Sequence, residues 1–277
     1  MNYDILVQNV IEEHINSPVD ILGIGDTSGE YNYLNSLKGS YIRTVRDVDG
    51  LYKNNRGNRH ILEIGSYLGA VSVSLKKIGY SVSALDIPEF HKSSSLRTLY
   101  EKNGIPFVGL NIKHSQLPYD SNSIDLVIAC EVIEHLNFNP LPVLKEVNRI
   151  LKNDGYIYIA MPNQTNIINR MKLFFGKSIH SPIDDFFRQL HRNDNMVVGL
   201  HWREYTLIET IQLIEKMGFE TVVRYYFSEK TNMETGLLRR VLRELLYLYP
   251  PFRLSQVVIG KKNKLFKDDF WITEANS

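Results

Sequence analysis

Short apolar runs and stretches of helical periodicity alternate along most of this chain. Runs at 61–64, 82–85, 106–110, 124–130 and 155–161 have strand length. The run at 124–130, IDLVIAC, is apolar almost throughout, as a strand covered on both faces must be. Between them, 70–78, 94–102 and 141–151 place apolar residues every three or four positions, the spacing of an amphipathic helix. Gly79 and Asn103-Gly104 supply helix stops. The pattern returns with a helix at 206–217 stopped by Gly218, a strand at 220–227, a helix at 237–248 broken by Pro250-Pro251, and a strand at 256–260. Such alternation predicts an α/β, Rossmann-like doubly wound sheet with helices on both faces.

Two stretches break the pattern. Residues 1–15 predict a helix with Ile5, Leu6, Val10 and Ile11 on one stripe, but 16–58 are rich in Gly, Asn, Ser and Asp and read as a lead-in rather than core. Between 162 and 204 only short apolar clusters remain, and an insertion this long between core elements reads as a lid. The expected division is a helical and loop cap at 1–57, a main domain at 58–262 carrying a lid at 164–204, and a tail at 263–277.

Composition narrows the functional classes. A formal charge of +1 argues against a dedicated nucleic-acid surface, and no apolar run reaches the length of a membrane span. The single cysteine, Cys130, excludes an internal disulfide and, with no basic leader before an apolar run, fits a cytoplasmic location. The most informative stretch is 60–90. Glu63, Gly65 and Gly69 frame a strand-to-helix turn, and Asp86 ends the next strand 21 residues beyond Gly65. Glycine lets backbone approach a ligand and a carboxylate accepts both hydroxyls of a ribose, so the unit is built to grip an adenosine. Taken alone it suits either a dinucleotide or S-adenosylmethionine (SAM). Tyr67 occupies the middle position that a G-x-G-x-x-G dinucleotide turn fills with glycine, which counts against a nicotinamide enzyme.

The turn EIGSYLG, the acid Asp86, the run SIDLVIACEVIEHL and the segment EVNRILKNDGYIYIAMPN stand in the order of the motifs of class I SAM-dependent methyltransferases. With HWREYTLIETIQLIEKMGFE they resemble most the ubiquinone-biosynthesis-like group, over roughly residues 58–227. The resemblance implies a seven-stranded sheet whose last strand is antiparallel, and SAM as cofactor. It implies that Glu63, Gly65, Ser66 and Gly69 contact the methionyl part and Asp86 the ribose. Ile87 would flank the adenine and Asn111 hold its amino group, with Ile112 a further cofactor contact and Cys130 and Glu131 at the end of the fourth strand.

Methyl transfer to a hydroxyl needs alignment and a base for the departing proton. His135, fixed by the E-H-L turn, is the first candidate; His201 is the second, with Glu134 a further catalytic candidate. Glu131 and Glu134 could ligate a divalent cation, but two carboxylates are few for an oxygen site, so no metal is assigned. Cys130 lacks the preceding proline of cytosine-C5 enzymes and reads as a packed strand end, while His180 and His191 read as surface groups in the lid. Arg170, Lys172, Lys177, Arg188 and Arg192, set against Asp184, Asp185 and Asp194, suit an anionic acceptor. The expected reaction is O-methylation of a small polar molecule, best a sugar of a bacterial surface polysaccharide, phosphorylated or lipid-linked. A phenolic or quinone acceptor is the enzymatic alternative, and a SAM-fold scaffold without turnover the non-enzymatic one. The helix at 237–248 interleaves leucines with Arg239, Arg240 and Arg243, as a peripheral membrane helix or a docked core helix would. A homodimer is compatible with the sequence.

Overall fold

In a computed structural model of the protein, the described residues are 1–20, 27–113, 116–187, 199–228, 237–263 and 266. Three helices open the chain: α1 (Tyr3–Asn16), α2 (Ser28–Ser36) and α3 (Lys38–Tyr52). The alternating region follows as β1 (His60–Ile64), α4 (Ala70–Lys77), β2 (Ser81–Asp86), α5 (Pro88–Lys92), α6 (Ser94–Lys102) and β3 (Phe107–Gly109). It continues through β4 (Ile124–Cys130), α7 (Leu141–Ile150) and β5 (Leu151–Pro162). After α8 (Ile167–Phe174) and α9 (Ile183–Phe187), the chain closes with α10 (Leu207–Lys216), β6 (Phe219–Phe227), α11 (Leu237–Leu246) and β7 (Ser255–Lys262).

The strands form one seven-stranded sheet in the order β3-β2-β1-β4-β5-β7-β6. β1 to β5 are parallel, and β7 runs antiparallel between β5 and β6. Successive residues feed opposite cores, as the two-residue period of a strand requires. Ile61, Leu126 and Tyr158 pack with α1, α3, α4 and α6, whereas Leu62, Val127 and Ile157 pack with α7 and α10. All seven residues of β4 are buried, which is why its sequence shows a continuous run. α10 starts on a capping box: the Thr206 hydroxyl accepts from the Glu209 amide at 3.2 Å, and the Glu209 carboxylate accepts from the Thr206 amide at 2.8 Å.

The N-terminal segment differs from the expected lead-in. α3 lies on the sheet with Val45 and Val48 fully buried, so this part of the cap is core. Its polar residues are also inside: Asp49 accepts from Tyr3, Tyr80 and Arg56, and Asp47 from Tyr158 and Tyr225. The α1 stripe is shifted as well. Val7, Val10, Ile11 and His14 are buried, while Ile5 points outward. In the proposed lid, α8 and α9 are largely exposed, whereas Arg188, His191, Arg192 and Asp194 lie outside the described residues, as does nearly all of the expected tail. No helix among the described residues is long and apolar enough to cross a membrane.

Candidate active site

The carboxyl ends of β1, β2 and β4 open into a cavity of about 700 Å³. This is the crevice where open α/β sheets take their ligands. Its first wall is the turn after β1. Gly65, Tyr67 and Gly69 all have positive φ (70°, 41° and 72°), a tight left-handed bend held to β2 by the Gly65 and Ser66 amides, which donate to the Leu85 carbonyl. At Gly65 a methyl group would run into Val132, so only glycine fits there. Gly69 does not line the cavity; it starts α4 beside the Tyr100 ring, and a methyl group added there would lie 3.3 Å from the Tyr100 hydroxyl. Its requirement is therefore conformational, unlike the ligand contact expected of it.

Asp86 is nearly buried and lines the same space. Its Oδ2 accepts from the Tyr67 amide and its Oδ1 from the Ile87 amide, both at 2.7 Å. Each oxygen keeps lone-pair capacity for a further donor, the geometry that a vicinal diol requires. Burial raises its pKa to about 6 against the pull of the two amides. Glu63, held by the Ser72 hydroxyl, is raised by burial to about 8. Ser66, Ile87, Asn111 and Ile112 also face the cavity, with Tyr33, Tyr67 and Phe90 making an aromatic side of edge and tilted ring contacts. Cys130 lines the floor, its sulfur accepting from Thr44, and burial pushes its thiol pKa up, away from nucleophilic use.

The second wall follows β4. Glu131 adopts a left-handed backbone (φ 56°), a conformation costly for a side chain of this kind, and accepts from the Ser40 hydroxyl at 3.2 Å. Glu134 is completely buried. Its carboxyl has no side-chain donor among the described residues and lies beside Glu131, with which it can share only a proton. Burial drives both carboxyls upward, and their mutual repulsion adds to the shift at Glu134, so the two do not ionise together. The segment that leads into α10 is pinned onto this turn by the Trp202 and Arg203 amides, which donate to the Glu134 carbonyl at 2.7 and 3.1 Å.

That docking brings His201 against His135, with ring centroids 4.9 Å apart. His135 Nδ1 lies 3.0 Å from the Leu200 carbonyl, which can only accept, so Nδ1 carries the proton and Nε2 the lone pair. His201 Nδ1 lies 3.0 Å from Glu204 Oε1, and Asn169 donates to the other Glu204 oxygen at 2.7 Å. Although burial opposes it, these two hydrogen bonds hold the Glu204 carboxyl below its usual pKa. Burial and the His201 ring together lower His135 to about 4. His135 is thus a weak proton acceptor. One ligand atom each from Glu134, His135 and His201 falls within 4.8 Å of the others. A buried carboxylate without side-chain donors and two imidazoles whose Nδ1 protons are already placed make a donor set that fits a divalent cation.

Three contributions escaped sequence reasoning. Ser40, Tyr33 and Tyr41 come from the segment read as a lead-in and line the cavity. Glu204 could have been suspected from its spacing of three from His201, but its Asn169 partner could not. Nor does anything in the sequence signal the cluster of Glu134 and His135 with His201, 66 residues further on. His180, Asp184 and Asp185 are exposed or half-exposed and take no part.

Residues 62–159 match the profile of a family described as a methyltransferase domain. A Pelagibacter ubique ubiquinone biosynthesis O-methyltransferase is 25% identical over 121 residues, 44% of this chain and 48% of its own length. An uncharacterised protein of Methanocaldococcus jannaschii is 37% identical over 73 residues, covering 26% of this chain and 31% of its own. The chain therefore spans less than half of either relative. A SAM-dependent methyltransferase structure from Archaeoglobus fulgidus shares the fold at a TM-score of 0.56 and 17% identity, over 84% of this chain and 99% of that one.

Proposed function

We infer that this chain, which carries a class I SAM-dependent methyltransferase domain, transfers a methyl group to a hydroxyl of a small polar acceptor. The observation that carries the reading is one cavity with two chemically different walls. On one side Asp86 and the turn after β1 offer diol and backbone recognition; on the other, His135 and His201 line the cavity where a hydroxyl could lie, with the buried Glu134 carboxyl within 4.8 Å of both. Asp86 would hold the ribose, and Glu63, ionised by a nearby cation, would face the positively charged methionyl part. Ile87, Asn111 and Ile112 would flank the adenine.

His201 would accept the acceptor's proton at Nε2. Glu204 holds its Nδ1–H and would stabilise the charge that the ring then carries, the arrangement by which a carboxylate fixes a catalytic imidazole. His135, kept neutral, would contribute a lone pair. A divalent cation held by Glu134, His135 and His201 would supply a second means of acidifying the hydroxyl. Residues 164–204 would act as the lid, with Asn169 tying α8 to Glu204.

A sugar hydroxyl, carried by a phosphorylated or lipid-linked glycan, is the acceptor we favour, because Arg170, Lys172 and Lys177 add positive charge to the lid. Transfer of label from methyl-tritiated SAM to sugar nucleotides and sugar phosphates tests it, with catechols and hydroxyquinones as the competing panel. Labelling of the catechols alone would overturn the sugar reading. Labelling of neither panel, with SAM bound, would point to a scaffold without turnover. Chelation followed by addition of Mg²⁺, Mn²⁺ or Zn²⁺ separates the two routes for the proton. Loss and recovery of activity support the cation, and full activity after chelation leaves His201 and Glu204 alone.

A further inference from the structure

The insertion between β6 and β7 holds a helix that the methyl-transfer reading does not use. On α11 and the turn after it, Val241, Leu242, Leu245 and Leu248 are exposed, Leu248 to 75%. An isolated surface leucine is ordinary, but a helix presenting a row of them at three-residue spacing needs a cover. A second exposed apolar group sits beside it. Arg170 of α8 lies over the Phe252 ring at 5.5 Å, and one turn further along α8 Phe174 is 79% exposed, with Phe175 next to it.

Charge says what covers this surface. Over 167–177 and 241–253, the chain carries Arg170, Lys172, Lys177, Arg243 and Arg253 against one acid, Glu244, although the whole chain is nearly neutral at +1. A protein partner of ordinary composition requires no such bias. Leucine and phenylalanine set among basic side chains are the signature of elements that lie in the headgroup layer of an anionic bilayer. The location fits as well, because the strap that carries Phe252 and Arg253 continues into Leu254 and Ser255, which line the cavity.

We propose that the face formed by α8, α11 and residues 247–253 docks peripherally on an anionic lipid bilayer, setting the cavity mouth at the membrane surface. Leucines and phenylalanines enter the acyl boundary while the basic side chains meet phosphate headgroups. This surface stands apart from SAM binding, so it can be tested without an acceptor. Sedimentation of the full chain with phosphatidylcholine vesicles, with and without phosphatidylglycerol, reads it directly. The protein should pellet with the anionic vesicles, stay soluble with the neutral ones, and be released by salt. Leu245→Glu with Leu248→Glu should weaken partitioning at least about tenfold, and Lys172→Glu with Lys177→Glu by a similar factor, since each basic side chain contributes about fivefold. Circular dichroism of both variants, and SAM affinity of the leucine variant, should match the parent, these positions being exposed. No pelleting with anionic vesicles, or equal pelleting of all three proteins, would overturn the proposal. So would a wild-type dimer that the leucine variant converts to monomer, because a second copy would then cover the face.

Discussion

Replacing Gly65 by alanine puts the cavity's tightest turn to a quantitative test. Gly65 has φ 70°, where an alanine costs about 1–2 kcal/mol. The added methyl would also collide with Val132, a half-buried side chain at the start of the second wall. Forcing a methyl into filled space costs about 1–3 kcal/mol, and the stiffer unfolded chain returns about 0.4–1 kcal/mol. The net loss should therefore be about 2–4 kcal/mol. A double-mutant cycle with Val132→Ala separates the causes, because removing the valine methyls relieves the collision and leaves the backbone strain. Urea unfolding of the four proteins should give a coupling of about 1–3 kcal/mol between the sites and a residual of about 0–1.6 kcal/mol, the φ strain less the return from the unfolded chain. A Gly65→Ala protein as stable as the parent, or a coupling near zero, would refute this account of why the position is glycine.

SAM affinity should rise with pH in two steps. Burial raises the pKa values of Asp86 and Glu63 to about 6 and about 8, and the ligand prefers both carboxylates ionised. Binding must therefore weaken as pH falls through each value, and calorimetry showing a flat profile from pH 5 to 9 would remove both groups from recognition. His201→Ala should lower kcat about a hundredfold or more with SAM affinity nearly unchanged, and Glu204→Gln should lower it less by loosening the ring. Near-normal turnover in His201→Ala would take that residue out of the proton's path.

Elements whose spacing and end signals agreed were legible in the sequence. The helix at 94–102 and the strand at 124–130 lie where their patterns put them, the first capped by the Ser93 hydroxyl, the second buried throughout. α3 was not legible because its buried positions include Ser40, Thr44 and Asp49, polar residues whose partners include Glu131, Cys130, Tyr3 and Tyr80, all distant in sequence. Of the α1 stripe, Leu6, Val10 and Ile11 face the core as their spacing puts them, while Ile5 points outward and Val7 takes the inner position, a detail that only packing resolves. The residues around Asp86 share a cavity because a strand, a turn and a helix N-terminus fix them locally. The meeting of Glu134, His135 and His201 depends on two backbone hydrogen bonds from Trp202 and Arg203 to the Glu134 carbonyl. No local pattern encodes such a contact.

The central claim, that the cavity under the 65–69 turn holds SAM with Asp86 on its ribose, is met most directly by calorimetric titration of SAM into the wild type and Asp86→Ala. The wild type should bind one equivalent. Asp86→Ala should stay folded and lose the two charge-assisted hydrogen bonds, about 2–4 kcal/mol, or roughly thirtyfold to a thousandfold in Kd. Equal affinity in a folded Asp86→Ala protein, or no SAM binding by the wild type, would contradict it.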